Sequence, residues 1–132
     1  MAKRPIIMKA LMKMPHGAHT HEEALEALKS GQPIVFPTDT LFGLGVSVLH
    51  APSPDILYAI KHREKKKPIA WLVGGIEDLE RYGKMVPDFA FALARTFWPG
   101  PLTIIVKASD EVPAAFCSEE GTIGLRMSCL LY

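Results

Sequence analysis

Short apolar runs alternate with segments of helical spacing along most of the chain, and this alternation is what most limits the fold. Apolar residues three and four positions apart indicate amphipathic helices, whereas short β-branched runs indicate buried strands. The predicted helices are 21–30, 53–63, 77–82 and 88–97, and the predicted strands are 34–36, 69–73, 102–106 and 121–127. The run at 69–73 is apolar throughout, which predicts a strand covered on both faces. Strands separated by helices favour an α/β fold with a mixed or partly parallel sheet and flanking helices.

The composition excludes several classes of protein. The chain has 132 residues, of which 48% are hydrophobic and 22% are charged, and its formal net charge is +1. These values favour a single soluble domain with no overall attraction to nucleic acid or membranes. No apolar run approaches the roughly 20 residues that span a bilayer, and Lys9 and Lys13 interrupt the apolar stretch that a signal peptide would need. We therefore expect a cytoplasmic protein, with an N-terminal arm or strand over 1–19 and one domain over 20–132.

A polar loop follows the first predicted strand. It contains Thr38, Asp39 and Thr40, and the segment Gly43-Leu44-Gly45 comes shortly after it. At the end of a strand in an open α/β sheet, such hydroxyls could contact a small polar ligand, and glycines would let the backbone come close to it. The same residues could equally form an Asx or Ser/Thr turn. The sequence leaves both interpretations open.

A dense cluster of cations lies just before the next apolar run. It consists of Lys61, Arg63, Lys65, Lys66 and Lys67. The cluster could be a solvated helix end whose charges offset the helix dipole. It could also bind phosphate groups, because arginine supplies a rigid bidentate fork and lysine a mobile point charge.

Arg126 interrupts the apolar pattern of the last predicted strand. A lone arginine in a strand commonly marks an edge or surface position. Next to Gly124 and Thr122, however, its guanidinium could hold a carboxylate through two parallel hydrogen bonds.

Several common site signatures are absent from the sequence. There is no dinucleotide-binding fingerprint and no P-loop. The histidines near the N-terminus and the two cysteines, Cys117 and Cys129, match neither a metal site nor a disulfide framework. A bound nucleotide would therefore depend on other residues.

Five segments together resemble the YrdC family, the threonylcarbamoyl-AMP synthases that begin the synthesis of tRNA threonylcarbamoyladenosine. The segments are Pro37-Thr38-Asp39-Thr40-Leu41-Phe42-Gly43-Leu44, Lys61-His62-Arg63, Lys67-Pro68-Ile69-Ala70, Trp98-Pro99-Gly100-Pro101-Leu102-Thr103 and Gly124-Leu125-Arg126-Met127. They have the family's order and spacing. The resemblance implies a single-domain, twisted, mixed α/β sheet with a concave, positively charged cavity. It also implies a nucleotidyltransferase that joins L-threonine, bicarbonate and ATP into threonylcarbamoyl-AMP and releases pyrophosphate.

The resemblance also implies which residues bind the substrates. The matching positions are Thr38 and Arg126 for L-threonine, and Lys61, Arg63, Lys67 and Thr122 for ATP. Arg126 is expected to hold the carboxylate of threonine, and Lys61 with Arg63 to bind phosphates. Magnesium is expected with the triphosphate. Such a reaction depends on positioning and on neutralising charge, so no catalytic nucleophile and no covalent enzyme intermediate are expected.

The chain departs from the family pattern after Arg126. The family's Arg-x-Pro-x-His segment is replaced there, and the later Ser-x-Asn motif is absent. We therefore expect a chain truncated at its C-terminal end, which lacks the last elements of the family fold. Strand edges left uncovered would favour a homo-oligomer. Two alternatives to an active synthase remain open: an RNA-binding module that uses the same basic surface, and a catalytically inactive remnant. Candidate macromolecular partners are tRNA and tRNA-modification proteins.

Overall fold

The chain divides into two compact units, Met1–Arg63 and Glu64–Tyr132. The structure, a computed structural model, describes residues 6–8, 18–19, 21–65 and 67–129. Each unit contains a mixed sheet, so the predicted α/β class is confirmed, and the strands are divided between two sheets. Among the described residues, no helix is long and apolar enough to cross a membrane.

The first unit is built on a four-stranded sheet. Its elements are β1 (Ile6–Met8), β2 (Ala18–His19), α1 (His21–Lys29), β3 (Ile34–Phe36), β4 (Gly43–Gly45) and α2 (Asp55–Lys61). The strand order is β2-β1-β3-β4, in which β1 is parallel to β2 and β3, and β4 is antiparallel to β3. Strand β1 lies within the predicted N-terminal arm or strand. The division at residue 19 itself stays a prediction.

Helix α1 buries one apolar stripe against β3. The cluster formed there consists of Ala24, Ala27, Leu28, Ile34 and Phe36. Its helical members are three and four residues apart, which places them on one face. The helix has acids in its first turn and Lys29 in its last turn, the charge order that the helix dipole favours. Thr20, whose spacing from Glu23 predicts a capping box at the start of this helix, lies outside the described residues.

The ring of Phe36 explains the two glycines of β4. The register pairs Phe36 with Gly43. A Cβ atom would lie 3.0 Å from this ring at Gly43 and 2.9 Å from it at Gly45. The glycines therefore make room for an aromatic side chain of their own sheet, whereas one interpretation of the sequence gave them the role of letting the backbone approach a ligand.

The second unit is built on a three-stranded sheet. Its elements are β5 (Trp71–Leu72), α3 (Glu77–Tyr82), α4 (Asp88–Phe97), β6 (Ile104–Lys107), a 3₁₀ helix (Ala114–Phe116) and β7 (Thr122–Arg126). The strand order is β5-β7-β6, in which β7 is parallel to β5 and antiparallel to β6. Both α-helices have the bounds that the sequence predicted.

Strand β7 lies at the centre of this sheet and supplies its most buried residues. Ile123 is 2% exposed and Leu125 is 0% exposed. Leu125 is the register partner of Trp71 on one side and of Ile104 on the other, and both partners are buried. One face of the sheet is therefore the core of the second unit.

The prediction that the run at 69–73 is covered on both faces is wrong. Trp71 and Val73 are buried, but Ala70 and Leu72 are exposed. Alternation of this kind is typical of a strand with one covered face. The apolar side chains of Ala70 and Leu72 lie on the uncovered side, so the sequence pattern alone overstated the burial.

Replacement of Leu79 tests the packing of the second unit. Leu79, in α3, is 0% exposed, so Leu79→Ala should lower the free energy of unfolding by about 2–5 kcal/mol. Urea unfolding followed by circular dichroism measures this change. The matched control is Leu49→Ala, because Leu49 is 84% exposed and its replacement should change stability by less than about 0.5 kcal/mol. Equal losses in the two variants would contradict the packing described here.

Candidate functional site

The outer face of β7 carries three residues in a row. Thr122, Gly124 and Arg126 alternate with the buried residues of the strand and are each half-buried. At roughly 3.3 Å per residue, Thr122 and Arg126 are about 13 Å apart along the strand. The row therefore offers a hydroxyl at one end and a guanidinium at the other, with only backbone between them.

A cavity of about 200 Å³ in the second unit is lined by Thr122 and Gly124 of this row, whereas Arg126 is not one of its lining residues. Its wall includes the hydroxyl-bearing side chains of Thr103 and Thr122, and the apolar side chains of Ile105 and Phe116. Gly124 also lines it, and a Cβ atom at that position would lie 3.1 Å from Cγ2 of Thr103. Glycine therefore keeps this part of the cavity open. A mostly apolar wall with a few hydroxyls is common in small-molecule sites, and this cavity is smaller than the roughly 300–1,000 Å³ that such sites usually enclose.

Arg126 lies in the central strand of the second sheet, so the edge-strand interpretation of this residue is wrong. Its register partner in β5 is Leu72, which places the two side chains on the same face. The N–H of Val73 donates to the carbonyl oxygen of Arg126 at 3.0 Å, which fixes the backbone from which the guanidinium extends. Such a position suits bidentate binding of a carboxylate, which requires a defined geometry.

Two residues that the sequence analysis did not single out lie beside Thr122. Oγ of Ser118 is 2.7 Å from Oγ1 of Thr122, and it accepts a hydrogen bond from the backbone N–H of Thr122 at 3.1 Å. Lys107 is the register partner of Thr122 in β6, which places a cation on the same face. Lys107 follows the apolar residues of β6 directly, and this change from apolar to charged is the sequence signal that could have indicated it. Ser118 gave no signal, because Ser-Glu-Glu-Gly is typical of any turn.

Thr38 is the centre of a turn in the first unit. Its Oγ1 accepts hydrogen bonds from the N–H groups of Thr40 and Leu41, each at 3.3 Å, and donates to the carbonyl oxygen of Leu41. The Ser/Thr-turn interpretation of this loop is therefore confirmed. A contact between Thr38 and L-threonine stays a prediction.

The Lys-x-Arg pair lies at the end of α2. Lys61 is the last helical residue, and His62 then adopts a left-handed conformation with φ of 48°. The N–H of Arg63 donates to the carbonyl oxygen of Tyr58 at 3.1 Å and closes the helix end. Lys61 and Arg63 are both exposed. The helix ends two residues earlier than predicted, so the two cations are separated by a turn.

The structure places the six predicted site residues in two groups. Thr38, Lys61 and Arg63 belong to the first unit, and Lys67, Thr122 and Arg126 belong to the second. In the second unit, Thr122 and Arg126 share the outer face of β7. Lys67 is exposed and immediately precedes Pro68, a residue of the cavity wall. Their contacts with ATP and threonine stay predictions.

Within the described part of the chain, no three His, Cys, Asp or Glu side chains gather as metal ligands do.

A family comparison bears directly on this site. The Sua5/YciO/YrdC family model, described as "Telomere recombination", matches residues 26–129. The chain belongs to this family. The match includes the six predicted site residues as well as Ser118 and Lys107, so the outer face of β7 lies within the region that defines the Sua5/YciO/YrdC family.

Individual members of the Sua5/YciO/YrdC family are similar over most of this chain. The threonylcarbamoyl-AMP synthase of Pyrococcus abyssi is 33% identical over 100 residues, which are 76% of this chain and 29% of that protein. The threonylcarbamoyl-AMP synthase of Vibrio vulnificus is 30% identical over 109 residues, which are 81% of this chain and 59% of that protein. The crystal structure of P. abyssi Sua5 complexed with L-threonine superposes with a TM-score of 0.75 at 32% identity, over 81% of this chain and 32% of that one. The chain thus spans less than two thirds of the length of these relatives.

The two cysteines should differ in reactivity. Burial raises the pKa of the Cys117 thiol, whereas Cys129 is exposed. Because the thiolate is the reactive form, we expect Ellman's reagent at pH 8 to modify Cys129 faster than Cys117. The variant Cys117→Ser gives the modification rate of Cys129 alone, and Cys129→Ser gives that of Cys117 alone. Faster modification of Cys117 would contradict its partly buried position.

Proposed function

We propose that this protein binds ATP and L-threonine and acts in forming threonylcarbamoyl-AMP from L-threonine, bicarbonate and ATP, with release of pyrophosphate. The product would supply the threonylcarbamoyl group for tRNA threonylcarbamoyladenosine. The observation that carries the proposal is the row of Thr122, Gly124 and Arg126 on the outer face of β7, of which Thr122 and Gly124 line the cavity of the second unit. Membership of the Sua5/YciO/YrdC family and the names of the similar synthases support it.

Arg126 is the residue proposed to select the amino acid. A guanidinium can donate two parallel hydrogen bonds to the carboxylate of threonine. Lysine could supply the charge but not this geometry. Thr38 is proposed to contact the same substrate, in addition to its role in the turn.

Cations and a hydroxyl are proposed to bind ATP. Lys61 and Arg63 would contact the phosphates, and Lys67 and Thr122 would contact further parts of the nucleotide. None of these four residues is an acid, so a magnesium ion would be held by the phosphates themselves and would enter as part of MgATP. The side chains would then neutralise the charge that remains on the triphosphate.

The proposed reaction needs no nucleophile from the protein. The amine of threonine attacks the carbon of bicarbonate, from which water leaves, or attacks CO2 and releases a proton to solvent. In either case a C–N bond forms and a carbamate results. A carbamate oxygen then attacks the α-phosphorus of ATP, and the bond from that phosphorus to the bridging oxygen breaks. Its electron pair leaves with pyrophosphate. The protein's part is to align the two substrates and to stabilise the negative charge of the leaving group.

The two alternative functions are separable by experiment. RNA binding that survives Lys61→Ala and Arg63→Ala, and that weakens steeply with salt, would favour an RNA-binding module. Binding of MgATP and threonine without any pyrophosphate release would favour an inactive form.

A homo-oligomer also stays a prediction, which light scattering can test.

Pyrophosphate release is the direct test of the proposed function. We expect release only when L-threonine, bicarbonate and MgATP are all present. Arg126→Ala should raise the KM for threonine about tenfold or more, because a charge-assisted pair is lost, and Arg126→Lys should recover only part of the loss. The matched control is Arg95→Ala, since Arg95 is an exposed residue of α4. Absence of release from folded protein would contradict the activity.

A second test concerns the phosphates. Lys61→Ala should weaken the binding of MgATP about tenfold, as expected for one charge-assisted hydrogen bond at the weak end of the usual range. Calorimetric titration gives the Kd. Lys29→Ala is the matched control, because Lys29 is also the exposed last residue of a helix in the same unit. Similar losses in both variants would indicate a general effect of charge and would argue against a phosphate contact at Lys61.

A further inference from the structure

We propose that Ser118 is a positioning residue, which fixes the hydroxyl of Thr122 so that it donates a hydrogen bond to the bound nucleotide. This inference rests on the proposed function, because Thr122 is the residue that would touch ATP. Ser118 itself acts through Thr122.

Ser118 and Thr122 are joined by three hydrogen bonds. The N–H of Ser118 donates to the carbonyl oxygen of Thr122 at 2.9 Å. In return, the N–H of Thr122 donates to Oγ of Ser118 at 3.1 Å. The two hydroxyl oxygens are 2.7 Å apart. Side chain and backbone of Thr122 are thus both held by one serine.

The turn between the two residues brings the serine hydroxyl back to the start of β7. The N–H of Gly121 donates to the carbonyl oxygen of Ser118 at 3.0 Å, and Gly121 has a φ of +72°. The carbonyl oxygen of Gly121 accepts the N–H of Ala108, next to the end of β6, at 2.9 Å. The turn is therefore anchored to the sheet, and the serine hydroxyl has a fixed place beside the cavity wall.

The pair has a favoured proton arrangement when a nucleotide is bound. Oγ of Ser118 accepts the N–H of Thr122 and can donate its own proton to Oγ1 of Thr122. The proton of the Thr122 hydroxyl is then directed at an acceptor atom of the ligand in the cavity. Each hydrogen bond in such a chain polarises the next, which strengthens the donor that faces the ligand. Phosphates and purine rings are rich in acceptors, so this arrangement suits a nucleotide.

A double-mutant cycle with MgATP as the probe tests the inference. Ser118→Ala should weaken binding about three- to tenfold, the effect of one lost hydrogen bond. Ser118→Thr keeps the hydroxyl and should recover most of the affinity, whereas Ser118→Cys keeps the volume but is a weak donor and should bind like the alanine variant. In a Thr122→Val background, Ser118→Ala should cause no further loss of affinity.

A control and a second readout separate positioning from folding. Ser109 is a matched serine of the second unit, whose Oγ donates to the carbonyl oxygen of Arg81 at 2.7 Å, and it does not line the cavity. Ser109→Ala should lower the melting temperature to a similar extent without weakening MgATP binding. If Ser118→Ala does not fold, Ser118→Cys and Ser118→Thr still provide the comparison.

The outcomes distinguish the inference from the function on which it rests. If Thr122→Val weakens MgATP binding and Ser118→Ala does not, the positioning role is overturned and the nucleotide site stands. The positioning role is also overturned if Ser118→Ala weakens binding equally with and without Thr122. If the unaltered protein binds no MgATP, or if neither Thr122→Val nor Lys61→Ala changes its Kd, then the proposed function fails, and the inference fails with it.

Discussion

The register of strand β7 within its sheet is the constraint on which the second unit depends. Its buried side carries Ile123 and Leu125, which are almost fully enclosed, and its outer side carries Thr122 and Arg126. A shift by one residue would exchange the two sides, because side chains alternate along a strand. It would expose Ile123 and Leu125 and bury a guanidinium. The free energy that holds the core together therefore also holds the candidate ligand face in place.

The candidate site has the composition that a positioning mechanism needs. Arginine and lysine neutralise charge, hydroxyls orient acceptors, and a glycine leaves space at the middle of the row. The site depends on backbone pairing more than on a network of side chains, since Thr122 and Gly124 have register partners in β6 and Arg126 has one in β5. Rigid elements of this kind hold ligand contacts more accurately than loops do.

The sequence was most informative where local signals were strong. Helices α3 and α4 could be predicted to the residue, because Gly83 ends one of them and Trp98-Pro99-Gly100 ends the other. The resemblance to the family indicated Thr122 and Arg126 as candidate site residues, and their contacts with substrates stay predictions. The turn around Thr38 was one of two interpretations that the residues allowed.

The remaining errors have a common physical cause. Burial at 69–73 was overestimated because apolar composition does not show which face of a strand is covered. Room for a ligand was one interpretation of the glycines of β4, because the sequence does not show that the ring of Phe36 lies against them. Ser118 was missed because its hydrogen bonds to Thr122 are made across a turn. Each of these features is set by tertiary packing, which a pattern of residue types does not contain.

The distribution of the aromatic residues has a practical consequence. The chain has two tryptophans, and both Trp71 and Trp98 are buried in the second unit. Intrinsic tryptophan emission therefore reports on that unit alone, whereas the amide signal in the far ultraviolet sums over both. Trp71 is also the register partner of Leu125, the residue before Arg126. The protein thus contains an intrinsic fluorophore, Trp71, on the strand next to the one that carries its candidate ligand face.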